Sequence, residues 1–240
     1  MTNKWLKVAL MAAAIATGTS IKIDAETVLY VPQDDRPVSL QYTVDTAREA
    51  GMTILTPPQN LISGKNYQGQ ADQIMAWVEQ NAGRADVMVL STDTLIYGGL
   101  VDSRKHNIPL TTLESRLKRI ESLKARNKNV RIYGFGTVMR SPRASGGGTE
   151  PAYYAEYGPT IFQIAALQDK LDSGSLTQEE TQKLMSLQAS VPVEYLQDWF
   201  DRRQKNMKIN KELIDETRSG VFDYFALGHD DTSQLSQSAL

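Results

Sequence analysis

The chain has 240 residues, of which 41% are hydrophobic and 22% charged. This composition is that of a globular protein with a substantial core, and it excludes a collagen, a coiled coil or a wholly disordered chain. The formal net charge of -2 lacks the excess of cations that nucleic-acid binding requires, so we expect no nucleic-acid partner. The absence of cysteine and the presence of only two histidines exclude thiolate zinc sites, iron–sulfur clusters, cysteine nucleophiles and three-histidine metal sites. Any chemistry must therefore rely mainly on carboxylates, hydroxyls, amides and arginines.

Residues 1–25 have the pattern of an export signal. Lys4 and Lys7 form a basic region, an uncharged apolar run follows from Val8 to Ala16, and Ala25 stands at the position of a cleavage site. The apolar run is shorter than the roughly 20 residues that a membrane-spanning helix needs, and the alternative is an N-terminal helix of the mature protein. We therefore expect an exported protein, periplasmic or extracellular, without a stable membrane span once the signal is removed.

Residues 26–240 alternate short apolar runs with helical patterns and are predicted to form one α/β domain. The predicted strands are Thr27–Val31, Met52–Leu55, Val87–Leu90, Val130–Phe135 and Val221–Leu227. The helical patterns lie at Leu40–Ala50, around Ile74–Val78, from Thr111 to Leu123, and at Phe162–Leu171, Thr177–Ala189 and Pro192–Ser219. This alternation predicts a mainly parallel sheet with helices on both faces. We expect a partial (β/α) barrel, with an open doubly wound sheet as the alternative.

Polar clusters follow four of the five predicted strands. These clusters are Gln33–Pro37, Ser91–Thr94, the segment with Arg140 and Arg143, and Gly228–Ser233. Each cluster taken alone is also typical of a turn or a helix cap. Right-handed crossovers, however, place the carboxyl ends of parallel strands at one edge of the sheet, where α/β proteins bind ligands. The sequence therefore predicts that the clusters form one site.

The predicted site is rich in carboxylates and arginines. The candidate catalytic residues are Asp34, Asp35, Asp93, Asp230 and Asp231. The candidate substrate-binding residues are Arg36, Thr94, Tyr97, Arg104, Arg140 and His229. Carboxylates held close together raise at least one carboxyl pKa unless a cation or ligand intervenes, which is a property of functional sites. For the segment Leu95–Val101 two interpretations stay open: a buried loop, or a loop that places Tyr97 against a ligand ring with Gly98 and Gly99 allowing close backbone approach.

Three motifs, in order along the chain, resemble the bacterial family DUF4127. They are VPQDDRPV at residues 31–38, STDTLIYGGLVDSR at residues 91–104 and GHDDTS at residues 228–233. The resemblance runs from about Thr27 to the end of the chain. Because members of that family are about twice as long, it implies that this chain is the N-terminal portion of a longer protein. The family implies no activity.

The end of the fifth predicted strand is also similar to barrel glycosidases that hydrolyse N-acetylhexosaminides with help from the acetamido group of the substrate. In those enzymes an apolar strand delivers two adjacent aspartates. The similarity implies that Asp230 orients the acetamido group and that Asp231 is the general acid and base.

Our leading hypothesis is an exported carbohydrate-active hydrolase, a glycosidase with a small-molecule or glycan substrate and no cofactor. One alternative is a divalent-metal hydrolase, a phosphoesterase or deacetylase, with Asp34, Asp93, His229 and Asp230 as ligands. The other alternative is a non-catalytic carbohydrate-binding protein that uses Tyr97 and the tyrosines of residues 153–157 as stacking surfaces.

Overall fold

The computed structural model describes residues 25–144 and 147–229. The predicted export signal and the aspartates Asp230 and Asp231 lie outside these ranges. The described strands are β1 (Thr27–Val31), β2 (Thr53–Leu55), β3 (Val87–Ser91), β4 (Arg131–Val138) and β5 (Tyr224–His229). The described helices are α1 (Gln41–Glu49), α2 (Ala71–Asn81), α3 (Thr92–Tyr97), α4 (Leu100–Lys105), α5 (Leu110–Arg126), α6 (Tyr154–Asp172), α7 (Gln178–Ala189) and α8 (Val193–Arg218). Among them, no helix has both the length and the apolar character needed to cross a membrane.

The five strands form one sheet in the order β2-β1-β3-β4-β5, and every pair of neighbours is parallel. The predicted α/β class with a parallel sheet is confirmed. Because β1 pairs with both β2 and β3, the order is that of a doubly wound sheet, the second of the two predicted arrangements. The connection from β1 to β2 runs towards one edge of the sheet, and those from β2 through β5 run towards the other. Because parallel connections are right-handed, the helices lie on both faces.

Alternate residues of each strand point to opposite faces of the sheet. On one face Leu29, Leu90 and Ile132 pack with helices α2, α5 and α8 and are fully buried. On the other face α1 lies over β1, where Val28 and Val44 line the same apolar cavity. The sheet is therefore a middle layer, and its main core lies on the face of α2, α5 and α8.

A second apolar core is formed by α6, α7 and the first half of α8. Its buried residues are Met139, Tyr154, Ile161, Ile164, Leu167, Leu184, Val191 and Trp199. Helix α8 is about 39 Å long and reaches both cores, because Trp199 is buried in the second and Ile209 and Leu213 in the first. This long helix therefore fixes the α6–α7 segment relative to the sheet.

The main core predicts a difference between two leucines that undergo the same substitution. Leu90→Ala removes a side chain that is 0% exposed and should lower the free energy of unfolding by about 2–5 kcal/mol. Leu171→Ala, at a site that is 48% exposed, should change it by less than about 0.5 kcal/mol. Urea unfolding of the two variants measures both values, and equal losses would contradict the assignment of Leu90 to the core.

Candidate active site at the β1–β3 switch point

Strands β1 and β3 lie side by side, with Val31 opposite Leu90. The segments that follow them, Gln33–Arg36 and Ser91–Thr94, are two of the polar clusters predicted from the sequence. Between these strands the chain connections diverge, and such a switch point opens the crevice in which doubly wound proteins bind ligands. The observed strand order therefore brings both clusters to the position where a ligand is expected.

Asp93 links the ends of three strands. One oxygen, Oδ2, accepts hydrogen bonds from Gln33 Nε2 at 3.0 Å and from the Thr137 hydroxyl at 2.8 Å. Gln33 follows β1 and Thr137 is near the end of β4, whereas Asp93 itself follows β3. The residue is 2% exposed. Asp93 therefore joins the ends of β1, β3 and β4 from a buried position.

Thr94 connects the beginning of α3 to the segment after β1. The Ser91 hydroxyl accepts a hydrogen bond from the Thr94 backbone N–H at 3.3 Å, which caps the helix. The Thr94 hydroxyl donates to the carbonyl of Pro32 at 2.7 Å. Helix α3 ends at Tyr97, and the next residue, Gly98, has a φ of 110° that favours glycine. The segment Leu95–Val101 is thus mostly helical, where the sequence predicted a loop.

The two aspartates after β1 have different partners. Asp34 is buried and receives Arg36 Nε at 2.8 Å and Nη2 at 2.7 Å on the same oxygen. Asp35 is half-buried; its backbone N–H donates to the carbonyl of Ser63 at 2.9 Å, and its Oδ2 accepts the hydroxyl of Tyr67. That hydrogen bond raises the pKa of Tyr67. Within the described ranges, Oδ1 of Asp35 accepts no hydrogen bond, so this carboxylate is the more available of the two.

Close backbone approaches hold the segments around the switch point together. A Cβ added to Gly99 would lie 1.8 Å from Ser63 Oγ, and one added to Gly69 would lie 2.0 Å from the Gly98 carbonyl oxygen. Asp102 accepts a hydrogen bond from the Gly69 N–H at 3.0 Å, and burial raises the pKa of this carboxyl. The sequence signalled a close approach through the pair Gly98 and Gly99. It did not identify Ser63 and Gly69 as the partners.

Tyr97 lies in the interior, as the buried interpretation of its segment requires. It is 6% exposed, and its ring stacks on His106 with centroids 5.0 Å apart. His106 Nε2 lies 2.8 Å from Asn206 Oδ1, and the Ile108 N–H donates to Nδ1. Burial lowers the pKa of His106 to about 4. The imidazole is therefore neutral near pH 7 and connects α4 to α8.

Arg104 and Arg140 both lie near one buried carboxylate, Glu150. Arg140 donates to Glu150 Oε1 from Nε at 3.1 Å and from Nη2 at 2.6 Å, and Arg104 Nη1 lies 3.8 Å from the same oxygen. The Glu150 side chain is 0% exposed. Sequence reasoning missed this residue, although it is the only carboxylate between Arg140 and Tyr154. The two arginines therefore form a buried charge cluster behind the edge of the sheet.

The tyrosines of residues 153–157, predicted as stacking surfaces, differ in their burial. Tyr154 is 0% exposed and packs on Trp199, with ring centroids 4.3 Å apart. Tyr153 and Tyr157 are half-buried, and both rings contact Tyr195, at centroid distances of 4.6 and 5.5 Å. These rings lie in the second apolar core or against it.

His229 ends β5 and pairs in register with Val138, so it stands at the same edge of the sheet and is exposed. Asp34, Asp35, Arg36, Asp93 and Thr94 meet at the switch point, whereas Tyr97, Arg104 and Arg140 lie behind it. Across residues 25–144 and 147–229, no three histidine or carboxylate side chains are grouped so that they could hold a metal ion. Asp230, a ligand in the metal-dependent hypothesis, lies outside these ranges, so that hypothesis stays a prediction.

The contact between Gly99 and Ser63 predicts a rescue. Gly99→Ala should destabilise the protein by about 1–3 kcal/mol, because the new methyl group overlaps the Ser63 side chain. Adding Ser63→Gly removes the overlapping atoms and should recover most of the loss. Gly83→Ala is the matched control, since a Cβ there meets nothing within 4 Å. Thermal unfolding of the four proteins tests this, and equal destabilisation by both alanines would contradict it.

The buried imidazole predicts a pH dependence of stability. The unfolded chain takes up a proton on His106 near pH 6.5, whereas the folded chain does so only near pH 4. The free energy of unfolding should therefore fall as the pH drops from 6.5 to 4, by about 3 kcal/mol in all from this group. His106→Gln should flatten that slope in urea unfolding, and His229→Gln should leave it intact. A wild-type slope in the His106 variant would show that other groups cause the loss.

Comparison with curated proteins and with solved structures gave no match. A family model described as "Protein of unknown function (DUF4127)" matches residues 28–240. This match includes the sheet from Val28 onwards, all the helices described above and the three sequence motifs. The resemblance predicted from those motifs is confirmed, and the chain belongs to the DUF4127 family.

Proposed function

We propose that this protein is an exported carbohydrate-active hydrolase, a glycosidase, that works at the carboxyl edge of the sheet. The observation that carries the proposal is the state of Asp35 at the switch point. One oxygen of this carboxylate is held by Tyr67, and the other accepts no hydrogen bond from residues 25–144 and 147–229. A carboxylate that is oriented but not consumed by internal contacts is suited to act on a ligand.

Cleavage of a glycosidic bond needs one carboxylic acid to protonate the leaving oxygen and one carboxylate on the opposite side of the sugar ring. Asp35 is the carboxylate base in this proposal, because the Ser63 carbonyl and the Tyr67 hydroxyl fix its position. Asp231 is the acid, and Asp230 orients the substrate. The roles of these two residues rest on the similarity of their strand end to N-acetylhexosaminide hydrolases.

The other residues of the site assist these groups. Arg36 is held by Asp34, yet its side chain is 53% exposed, so its free N–H groups can donate to sugar hydroxyls. Asp93 keeps the ends of β1, β3 and β4 in register through Gln33 and Thr137 and is a positioning residue.

The test is a screen of the exported full chain against a panel of chromogenic glycosides, followed by variants. Asp35→Asn and Asp231→Asn should each lower kcat by about 100-fold or more, because each removes a proton-transfer group. Asp215→Asn is the matched control, since this exposed carboxylate pairs with Arg218 on α8 and should leave kcat unchanged. Full activity in Asp35→Asn would exclude the base proposed here. Ligand-induced stabilisation without turnover of any glycoside would favour a carbohydrate-binding protein instead.

A further inference from the structure

A small pocket lies between the ends of β4 and β5 and one side of α8. Its apolar wall includes Val138, Met207 and Leu227, and α8 adds the polar residues Arg203, Asn210 and Lys211. The volume is about 160 Å³. The pocket is distinct from the switch point, which lies between β1 and β3. It has no role in the function proposed above.

Arg203 is the unusual member of this pocket. The residue is 8% exposed, and in the described part of the chain its guanidinium donates one hydrogen bond, from Nη1 to the Met139 carbonyl. Burial lowers the pKa of this guanidinium, whereas the negative charge of Asp169 on α6 raises it. The resulting pKa is about 10, which leaves the group positively charged near pH 7. Burial thus outweighs the favourable charge of Asp169, and a buried cation that is only partly compensated would be stabilised by a further anion.

The other residues of the pocket indicate which chemical groups the anion must have. Lys211 is exposed at the rim and adds a second positive charge. The Asn210 amide nitrogen donates to the Thr137 carbonyl at 3.3 Å, which fixes the side chain against β4. Val138, Met207 and Leu227 supply an apolar surface, and Met207 is 48% exposed. A ligand that fits has an anionic head and a short aliphatic body.

We propose that this pocket binds a short aliphatic carboxylate, with the carboxylate on Arg203 and Lys211 and the alkyl group against Val138 and Leu227. Arginine suits this role because its planar guanidinium can donate two parallel hydrogen bonds to a carboxylate. The size is appropriate, since an apolar cavity of about 150 Å³ accepts benzene, a molecule of six heavy atoms. The proposal does not depend on glycosidase activity, because it concerns binding alone.

The test is isothermal titration of the full chain with 3-methylbutanoate near pH 7. Saturable binding is expected, and the isosteric neutral amide, 3-methylbutanamide, should bind at least tenfold more weakly. Lys211→Met, at the exposed rim, should weaken binding of the acid several-fold without affecting the fold. Arg203→Met should abolish it. Lys183→Met, an exposed lysine on α7, is the matched control and should bind as the wild type does.

Three outcomes would overturn the proposal. The first is the absence of saturable heat in the wild type, and the second is equal affinity for the acid and the amide. The third is unchanged affinity for the acid in Lys211→Met and Arg203→Met, which would place the bound acid elsewhere on the protein. If Arg203→Met does not fold, Lys211→Met and the amide still decide the result.

Discussion

The geometry of the candidate site depends on the parallel alignment of the strands. Because every pair in the sheet is parallel, all five strands end at the same edge, and the segments after β1 to β4 leave the sheet there. The backbone polar groups of these segments must then find partners where the hydrogen-bond ladder ends. Asp93 meets part of this need, since its Oδ1 accepts the backbone N–H of Thr137 at 3.4 Å, while its Oδ2 accepts the side chains of Gln33 and Thr137. The same edge that satisfies the backbone therefore also collects carboxylates from distant parts of the sequence.

Helix α8 connects the end of α4 to both apolar cores. Its Asn206 donates to the Ser103 carbonyl and accepts from His106, so it holds the end of α4. One turn earlier, Arg202 donates to the His106 carbonyl and pairs with Asp198. These buried side chains form hydrogen bonds across the junction of the two apolar cores, and such a network fixes the junction more specifically than apolar contacts would. Helix α8 therefore fixes the end of α4, which follows the edge of the sheet.

Much of the fold was predictable from local patterns, and the limits of that prediction have physical causes. Strand β1 coincides with the predicted Thr27–Val31, because a β-branched and aromatic run that ends before proline leaves little choice. Strand β5 begins at Tyr224, three residues later than predicted, because Phe222 is buried in the main core with α2, α5 and α8. The order of the strands was open, since the direction of each crossover is decided by packing between elements far apart in sequence. The alternation of strands and helices specified the class but not the position of β1 between β2 and β3.

For the site, too, the sequence predicted the positions of the residues but not their partners. The strand ends indicated where carboxylates would gather, and Asp34, Asp35 and Asp93 do lie at the switch point. Their environments were hidden, because each depends on a partner that the sequence does not mark, such as Tyr67 for Asp35 or Thr137 for Asp93. Glu150 was missed for the reason that it lies far along the chain from Arg104 yet within 3.8 Å of it. Pairings of this kind are consequences of the fold and become visible only with it.

Asp34, Asp35 and Asp93 lie at the same edge of the sheet and carry the same carboxylate group. They differ in the residues that contact it. Asp34 is held by the guanidinium of Arg36, so its charge is already compensated. Asp93 accepts hydrogen bonds from two neighbouring strand ends, so moving it would disturb the sheet. Among the residues that the structure describes, Asp35 has one side-chain partner, Tyr67, and that partner is itself 52% exposed. Reaction at a carboxylate requires that it exchange its contacts for those of a substrate, and Asp35 is the one that can do so at the smallest cost to the fold.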